Sequence, residues 1–245
     1  MRIPRIYIDQ PLAITESLLL NENATHYLSK VLRMQEGREL IVFNGQGGEY
    51  SAQIKEVGKK LLSIQVKQFT QDNRQSSLEL HLAIGISRGE RMDWVLQKAT
   101  ELGVTHIIPL ITERTEVKVK GEKQDKKMQH WQQIIISACE QCQRNLLPVL
   151  QQPQSIGEWL KTVSTDYRFV LHHRNDQGLS RSTSPQSVSL LIGPEGGLTE
   201  DEILHAEKEK FQSLRLGPRV LRTETAPIAA ISLVQYLWGD LGELS

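Results

Sequence analysis

The sequence predicts a two-part α/β protein: a small, sheet-rich N-terminal barrel followed by a larger domain with helices packed on a parallel sheet. Three observations lead there. Up to Phe69, short apolar runs are separated by glycine-containing turns, as in small all-β units. From Leu78 onward, strand-length apolar runs alternate with helix-length amphipathic patterns, which indicates a parallel sheet. Between the two lies Thr70-Gln-Asp-Asn-Arg-Gln-Ser-Ser77, a polar stretch without periodicity that reads as the linker.

The elements follow in order. Ala24 to Arg33 places Tyr27, Leu28, Val31 and Leu32 at helical spacing. Leu40 to Phe43, Tyr50 to Val57 and Leu61 to Phe69 are strands, separated by the turns Asn44-Gly-Gln-Gly-Gly48 and Gly58-Lys-Lys60. After the linker, Leu78 to Ser87 is an apolar strand. Met92, Val95, Leu96, Ala99 and Leu102 define one helical face, which Gly103 ends. Val104 to Ile111 is the next strand, and residues 112–121 form a charged loop. A long helix covers about Asp125 to Asn145. Ser155 caps a helix through Val163, Arg168 to Leu171 is a strand, and Asn175 to Ser187 is polar and turn-rich. The last helix runs from near Pro227, a residue tolerated in a first turn, to Trp238.

Two junctions carry the functional signal. Leu190-Leu-Ile-Gly-Pro-Glu-Gly-Gly-Leu-Thr199 runs from strand through a glycine turn into a helix. Thr199 and Glu202 have capping-box spacing. Leu214-Arg-Leu-Gly-Pro-Arg-Val-Leu-Arg-Thr-Glu-Thr225 repeats the Gly-Pro turn. Two such loops after parallel strands meet at one sheet edge, where open α/β sheets bind ligands. No Gly-Lys-Ser/Thr follows, so this is not a P-loop. The spacing of Gly193, Gly196 and Gly197 also misses the dinucleotide fingerprint, which disfavours a nucleotide-dependent oxidoreductase.

Composition sets bounds. The 245 residues, 39% hydrophobic, suffice for one large or two modest domains. No apolar stretch has transmembrane length, and the N-terminus lacks the apolar segment of a signal peptide, so a cytoplasmic protein is expected. The net charge of zero disfavours indiscriminate nucleic-acid binding, although segregated charge still permits RNA. Arg2, Arg5, Arg33, Lys59, Lys60 and Arg74 are the basic residues of the first part, ordinary surface charges on composition alone. Cys139 and Cys142 sit mid-helix without a second pair, which argues against structural zinc. His172 and His173 point to opposite sides of a strand and do not readily share a metal, so no metal is expected. Glu140 and Arg144 are one helical turn apart; an ion pair or an RNA or active-site contact would each account for them. Glu195 and Glu224 serve either as charge at helix N-termini or as functional carboxylates. Arg222, just before a helix, opposes the helix dipole and needs an anionic partner.

Four segments are similar to the 16S ribosomal RNA uridine-N3 methyltransferase family of the SPOUT superfamily: Gln97-Lys-Ala-Thr-Glu-Leu-Gly103, Cys139-Glu-Gln-Cys-Gln-Arg144, Leu190 to Thr199 and Leu216 to Glu224. The resemblance covers nearly the whole chain, and the last two segments are its most specific. It implies a PUA-like RNA-binding β-barrel in residues 1–72 and a SPOUT methyltransferase domain with a C-terminal trefoil knot in residues 73–245. It further implies a homodimer that uses S-adenosylmethionine to methylate N3 of a uridine in small-subunit rRNA, within the assembled particle. By the same resemblance, the cofactor is held near Leu171, His172, Gly193, Glu195, Gly196, Gly197, Leu216, Gly217, Leu221, Arg222 and Thr223. Arg222, Glu224 and Glu195 lie at the reacting centre, and Arg2, Arg5, Arg33 and Arg144 face RNA. The rival reading is a non-catalytic PUA-type RNA-binding protein with a degenerate cofactor domain. Such a domain should have lost its glycines and its Arg-Thr-Glu cluster, yet both are intact.

Overall fold

The computed structural model describes residues 3–58, 61–117, 120–172 and 184–242. Arg2, Lys59, Lys60, His173 and most of the polar stretch 175–187 lie outside the described residues. The chain divides into two compact units, one of Met1–Gln75 with Cys139–Leu147, the other of Ser76–Ala138 with Pro148–Ser245. A single cut in the linker does not foresee that Cys139–Leu147 groups with the N-terminal residues.

The first unit contains β1 (Arg5–Tyr7), β2 (Ser17–Leu19), α1 (Glu22–His26), β3 (Glu39–Phe43), β4 (Glu49–Val57) and β5 (Leu62–Thr70). Its sheet order is β1-β3-β4-β5-β2, with β1 parallel to β3 and the other pairs antiparallel. The end strands β1 and β2 have three residues each and are not paired with one another among the described residues. In that respect the expected barrel is open. Alternation along β3 to β5 sends Leu40, Val42, Ala52, Ile54, Leu62 and Ile64 into one core with Leu28. The expected helix over 24–33 is found in altered form. Asn21 caps α1, and the chain then continues as a π-helical turn over Tyr27–Val31. The wider turn breaks the predicted apolar face: Leu28 is buried, while Tyr27, Val31 and Leu32 are exposed.

Arg5 and Arg144, expected at an RNA-facing surface, are interior residues of this unit. The Arg5 side chain is only 8% exposed and is ion-paired with Glu49. It also donates to the Asn145 side chain and to the Arg144 carbonyl (3.1 Å), and its guanidinium lies 4.4 Å from the Phe43 ring centre. Arg144 is buried, with Nη2 3.3 Å from Gln75 Oε1. A buried guanidinium must be paired in this way to offset its lost hydration. Glu140 accepts from the Tyr7 N–H (2.9 Å). Burial pushes its carboxyl above the usual range, against the opposing pull of that hydrogen bond and of Arg5.

The second unit is built on β6 (Glu79–Gly85), α2 (Glu90–Glu101), β7 (His106–Ile111), α3 (Glu122–Cys142, whose last turn groups with the first unit), β8 (Val149–Leu150), β9 (Gln154–Ser155), α4 (Ile156–Leu160), β10 (Tyr167–Leu171), β11 (Ser187–Ile192), α5 (Glu200–Lys208), β12 (Gln212–Leu214) and α6 (Thr225–Trp238). The sheet is parallel, in the order β12-β10-β11-β6-β7-β8, with β9 also on β7. One core joins Ala83, Ile108, Val170 and Leu191 of the strands to Trp159, Leu160 and Ala206 of α4 and α5. Full capping boxes start both helices, Ser155 with Glu158 and Thr199 with Glu202. Because every strand here runs the same way, the loops after β6, β7, β10, β11 and β12 leave from one edge.

Candidate active site

At that edge the end of β10 and the loops after β11 and β12 line a cavity of about 310 Å³, within the range of small-molecule sites. Leu171, His172, Gly193, Glu195, Gly196, Gly197, Leu216, Gly217, Leu221 and Thr223 all line it. These are residues expected from the sequence, gathered from three separate segments. Arg222 is the exception. It is exposed and outside the lining, between Leu221 and Thr223, and its carbonyl accepts from the N–H groups of Thr225 and Ala226 at the start of α6.

Glycine is required at specific points. A Cβ on Gly193 would stand 2.7 Å from Gly197 C and Leu198 N, so the turn closes on itself only without one. Gly197 has φ +69° and nothing within 4 Å of where a Cβ would be. Its backbone therefore faces open space in a conformation that L side chains rarely adopt.

The carboxylates are held by donors that local sequence patterns did not reveal. Glu195 Oε1 accepts from the Arg88 N–H (2.9 Å) and from Arg91 Nη1 (3.1 Å). Burial raises the Glu195 carboxyl, but these donors and its own N–H outweigh that effect and hold it below the usual carboxylate range. Arg91 Nε is 3.9 Å from Glu224 Oε2, so one guanidinium stands between both carboxylates. Glu224 is the N-cap residue of α6, but its side chain makes no capping hydrogen bond. Arg114 lines the cavity and donates to the carbonyls of Gly196 (2.7 Å) and Leu198 (3.4 Å). Arg88 and Arg91 follow β6, and Arg114 follows β7. The rule that loops after parallel strands converge at one edge was the available signal for them.

His172 lines the cavity, and its Nε2 is 2.5 Å from Ser213 Oγ. Cys139 is buried, and burial pushes its thiol up to about 12. In the first unit, Arg33 is exposed at φ +49°, beside exposed Tyr27 and Lys30.

A parallel sheet with a glycine-lined cavity at its carboxyl edge, preceded by a small β unit, defines the class. Residues 74–235 match the model of an RNA methyltransferase domain, and residues 20–67 that of an RNA methyltransferase PUA domain. The chain belongs to the ribosomal RNA small subunit methyltransferase E family. It is 36% identical over 241 residues to ribosomal RNA small subunit methyltransferase E of Buchnera aphidicola subsp. Acyrthosiphon pisum, covering 98% of this chain and 95% of that one. The enzyme of the same name from Bacillus subtilis is 34% identical, with 86% of each chain covered. Among solved structures, a protein of Legionella pneumophila in complex with bound S-adenosylmethionine superposes with a TM-score of 0.94 at 43% identity, covering 98% of this chain and 100% of that one. Ribosomal RNA small subunit methyltransferase E of Neisseria gonorrhoeae, bound to S-adenosylmethionine, gives 0.91 at 35%, with the same coverage. No helix among the described residues is long and apolar enough to cross a membrane.

Proposed function

We propose that this protein methylates N3 of a uridine in 16S rRNA with S-adenosylmethionine as donor, acting on the assembled small subunit. The observation that carries this is the cavity itself. Three chain segments, around residues 171–172, 192–203 and 214–226, bring glycines and backbone groups to one concave site, in a chain so similar to two structures solved with that cofactor. The open direction at Gly197 and the backbone-rich lining fit a ligand read mainly through peptide groups. Leu171, Gly193, Gly197, Leu216, Gly217 and Leu221 would hold it. The cofactor, when bound, supplies an electrophilic methyl group on a sulfonium centre, so no metal is needed to activate it.

The chain's own task is to position the uracil and remove its N3 proton. Glu195 spends Oε1 on two donors and is held ionised, which makes it a weak base. Glu224 has the longer contact with Arg91 and no capping role, so it is the proton acceptor in this reading. Arg222, exposed beside the lining, is accessible to rRNA and stabilises the developing uracil anion or a neighbouring phosphate in this reading. In the first unit, Arg33, Lys30 and Tyr27 offer charge and an aromatic ring to rRNA; Arg5 and Arg144 are structural. The knotted threading of the C-terminal segment, the homodimer and the cytoplasmic location complete the proposal by family resemblance. Exposed Trp94, Leu233 and Tyr236 supply apolar surface for a second copy.

The test is mass spectrometry of 16S rRNA from a strain lacking this gene, with and without complementation. Loss and restoration of one N3-methyluridine is the expected result. An unchanged modification profile, with RNA binding retained in vitro, would instead support the non-catalytic alternative.

A further inference from the structure

At the opposite edge of the second unit's sheet, three side chains converge that the methyl-transfer site does not use. Glu79 opens β6 and His106 opens β7, so both lie at the amino ends of parallel strands. His81 is paired in register with His106 on the neighbouring strand. Residues two apart on a strand share a face, which places Glu79 beside His81. The same face continues inward as Ala83, Ile108 and Leu110, part of the core under α4 and α5. The histidines sit at its less covered end, with side chains 19% and 27% exposed.

We propose that Glu79, His81 and His106 form a three-ligand zinc site that ties β6 to β7 and takes no part in methyl transfer. Each residue offers one ligand atom, and the three atoms lie within 4.8 Å of one another. Glu79 Oε1 is 2.7 Å from His81 Nε2 and 3.7 Å from His106 Nδ1. The imidazole rings are 4.2 Å apart between centres. Two imidazoles, borderline ligands, joined by one carboxylate suit zinc better than hard cations such as magnesium or calcium, which take all-oxygen shells. Zinc bonds of about 2.0–2.2 Å put tetrahedral ligand atoms roughly 3.3 Å apart. The Glu79 side chain, 52% exposed, needs only a small swing to open its hydrogen bond to that separation. Zinc on His106 Nδ1 would displace that nitrogen's contact with the Thr105 hydroxyl (3.0 Å), which keeps its hydrogen bonds to the Leu80 backbone. Water would complete the coordination. The two strands already share a hydrogen-bonded ladder, so the ion reinforces existing register and does not create a fold.

The experiment uses the full-length protein, prepared without an affinity tag and stripped with a chelator. Zinc sulfate is titrated by calorimetry against wild type, His81→Asn, His106→Gln and Cys142→Ser. One equivalent of zinc per chain is expected, unaffected by Cys142→Ser. Either histidine substitution should weaken it by more than about tenfold, the least that loss of an outer-shell partner alone costs. Zinc should also raise the Tm of wild type but not of His106→Gln. If the variants fail to fold, X-ray absorption on zinc-loaded wild type decides the matter: two imidazoles with only nitrogen and oxygen neighbours are expected. No saturable binding, binding unchanged in both histidine variants, or sulfur in the coordination shell would each overturn the site.

Discussion

Gly197→Val separates two consequences of one residue. At φ +69° a side chain costs about 1–2 kcal/mol. For a chain of this size that lowers Tm by about 2–8 °C. No clash adds to this, because nothing lies within 4 Å of the new Cβ. The cofactor effect is separate. If the open direction is the one the ligand fills, two methyl groups placed there act like overpacking, which costs about 1–3 kcal/mol. That converts to roughly 5- to 150-fold weaker binding. Gly121→Ala supplies the control for strain alone: φ is +57°, nothing lies within 4 Å, and the residue is not part of the cavity lining. It should lose comparable stability and bind the cofactor normally. Gly193→Ala should lose both, since its Cβ would meet the loop's own backbone at 2.7 Å. The assay is calorimetric titration with S-adenosylmethionine, with circular dichroism to verify the fold. A native-like Gly197→Val that binds like wild type would falsify the placement of the ligand against this loop.

Three further outcomes follow from the same geometry. Arg222→Ala should lower kcat by about 100- to 1000-fold, as loss of one positioned donor costs ~2.7–4 kcal/mol, with cofactor affinity little changed because the residue lies outside the lining; collapse of affinity with a normal single-turnover rate would make it a cofactor clamp. Glu140 has a raised folded-state pKa, so its contribution to stability is present below its unfolded value near 4.5 and is lost as pH rises through the folded value. Glu140→Gln keeps an acceptor for the Tyr7 N–H and should therefore match or exceed wild-type Tm at pH 8 while losing that advantage near pH 4; a lower Tm at pH 8 would show that the carboxylate charge is itself needed. Native protein should show at most one readily alkylated thiol, Cys142, and two after denaturation, because Cys139 is buried with its thiol pushed up to about 12; rapid native labelling of both would contradict the burial.

The longer elements were legible because their periodicity and punctuation agree. The apolar face of α2 and the capping boxes of α4 and α5 are each written within a few adjacent residues. Strands β1, β2, β8 and β9, two or three residues long, are too short to alternate. The π-helical turn was hidden because its spacing imitates an ordinary helix. Most of the cavity lining was readable from the two Gly-Pro junctions and the resemblance built on them. Arg88, Arg91 and Arg114 were not, since Arg91 meets Glu195 across more than a hundred residues. Arg5 reads locally as a surface charge, and its burial depends on Glu49, Arg144 and Asn145, which no short window contains.

That last dependence bears on how the chain is made. The N-terminal unit is complete only when Cys139–Leu147 has been added, since Asn145 and the Arg144 carbonyl receive the Arg5 guanidinium. A ribosome adding 5–20 residues per second needs about 4–14 s to travel from Gln75 to Leu147. During that interval the Arg5 and Glu49 pair has no closing partner, and the nascent strands wait while the first strands of the second unit emerge. Expression of residues 1–75 alone would leave that interval open indefinitely.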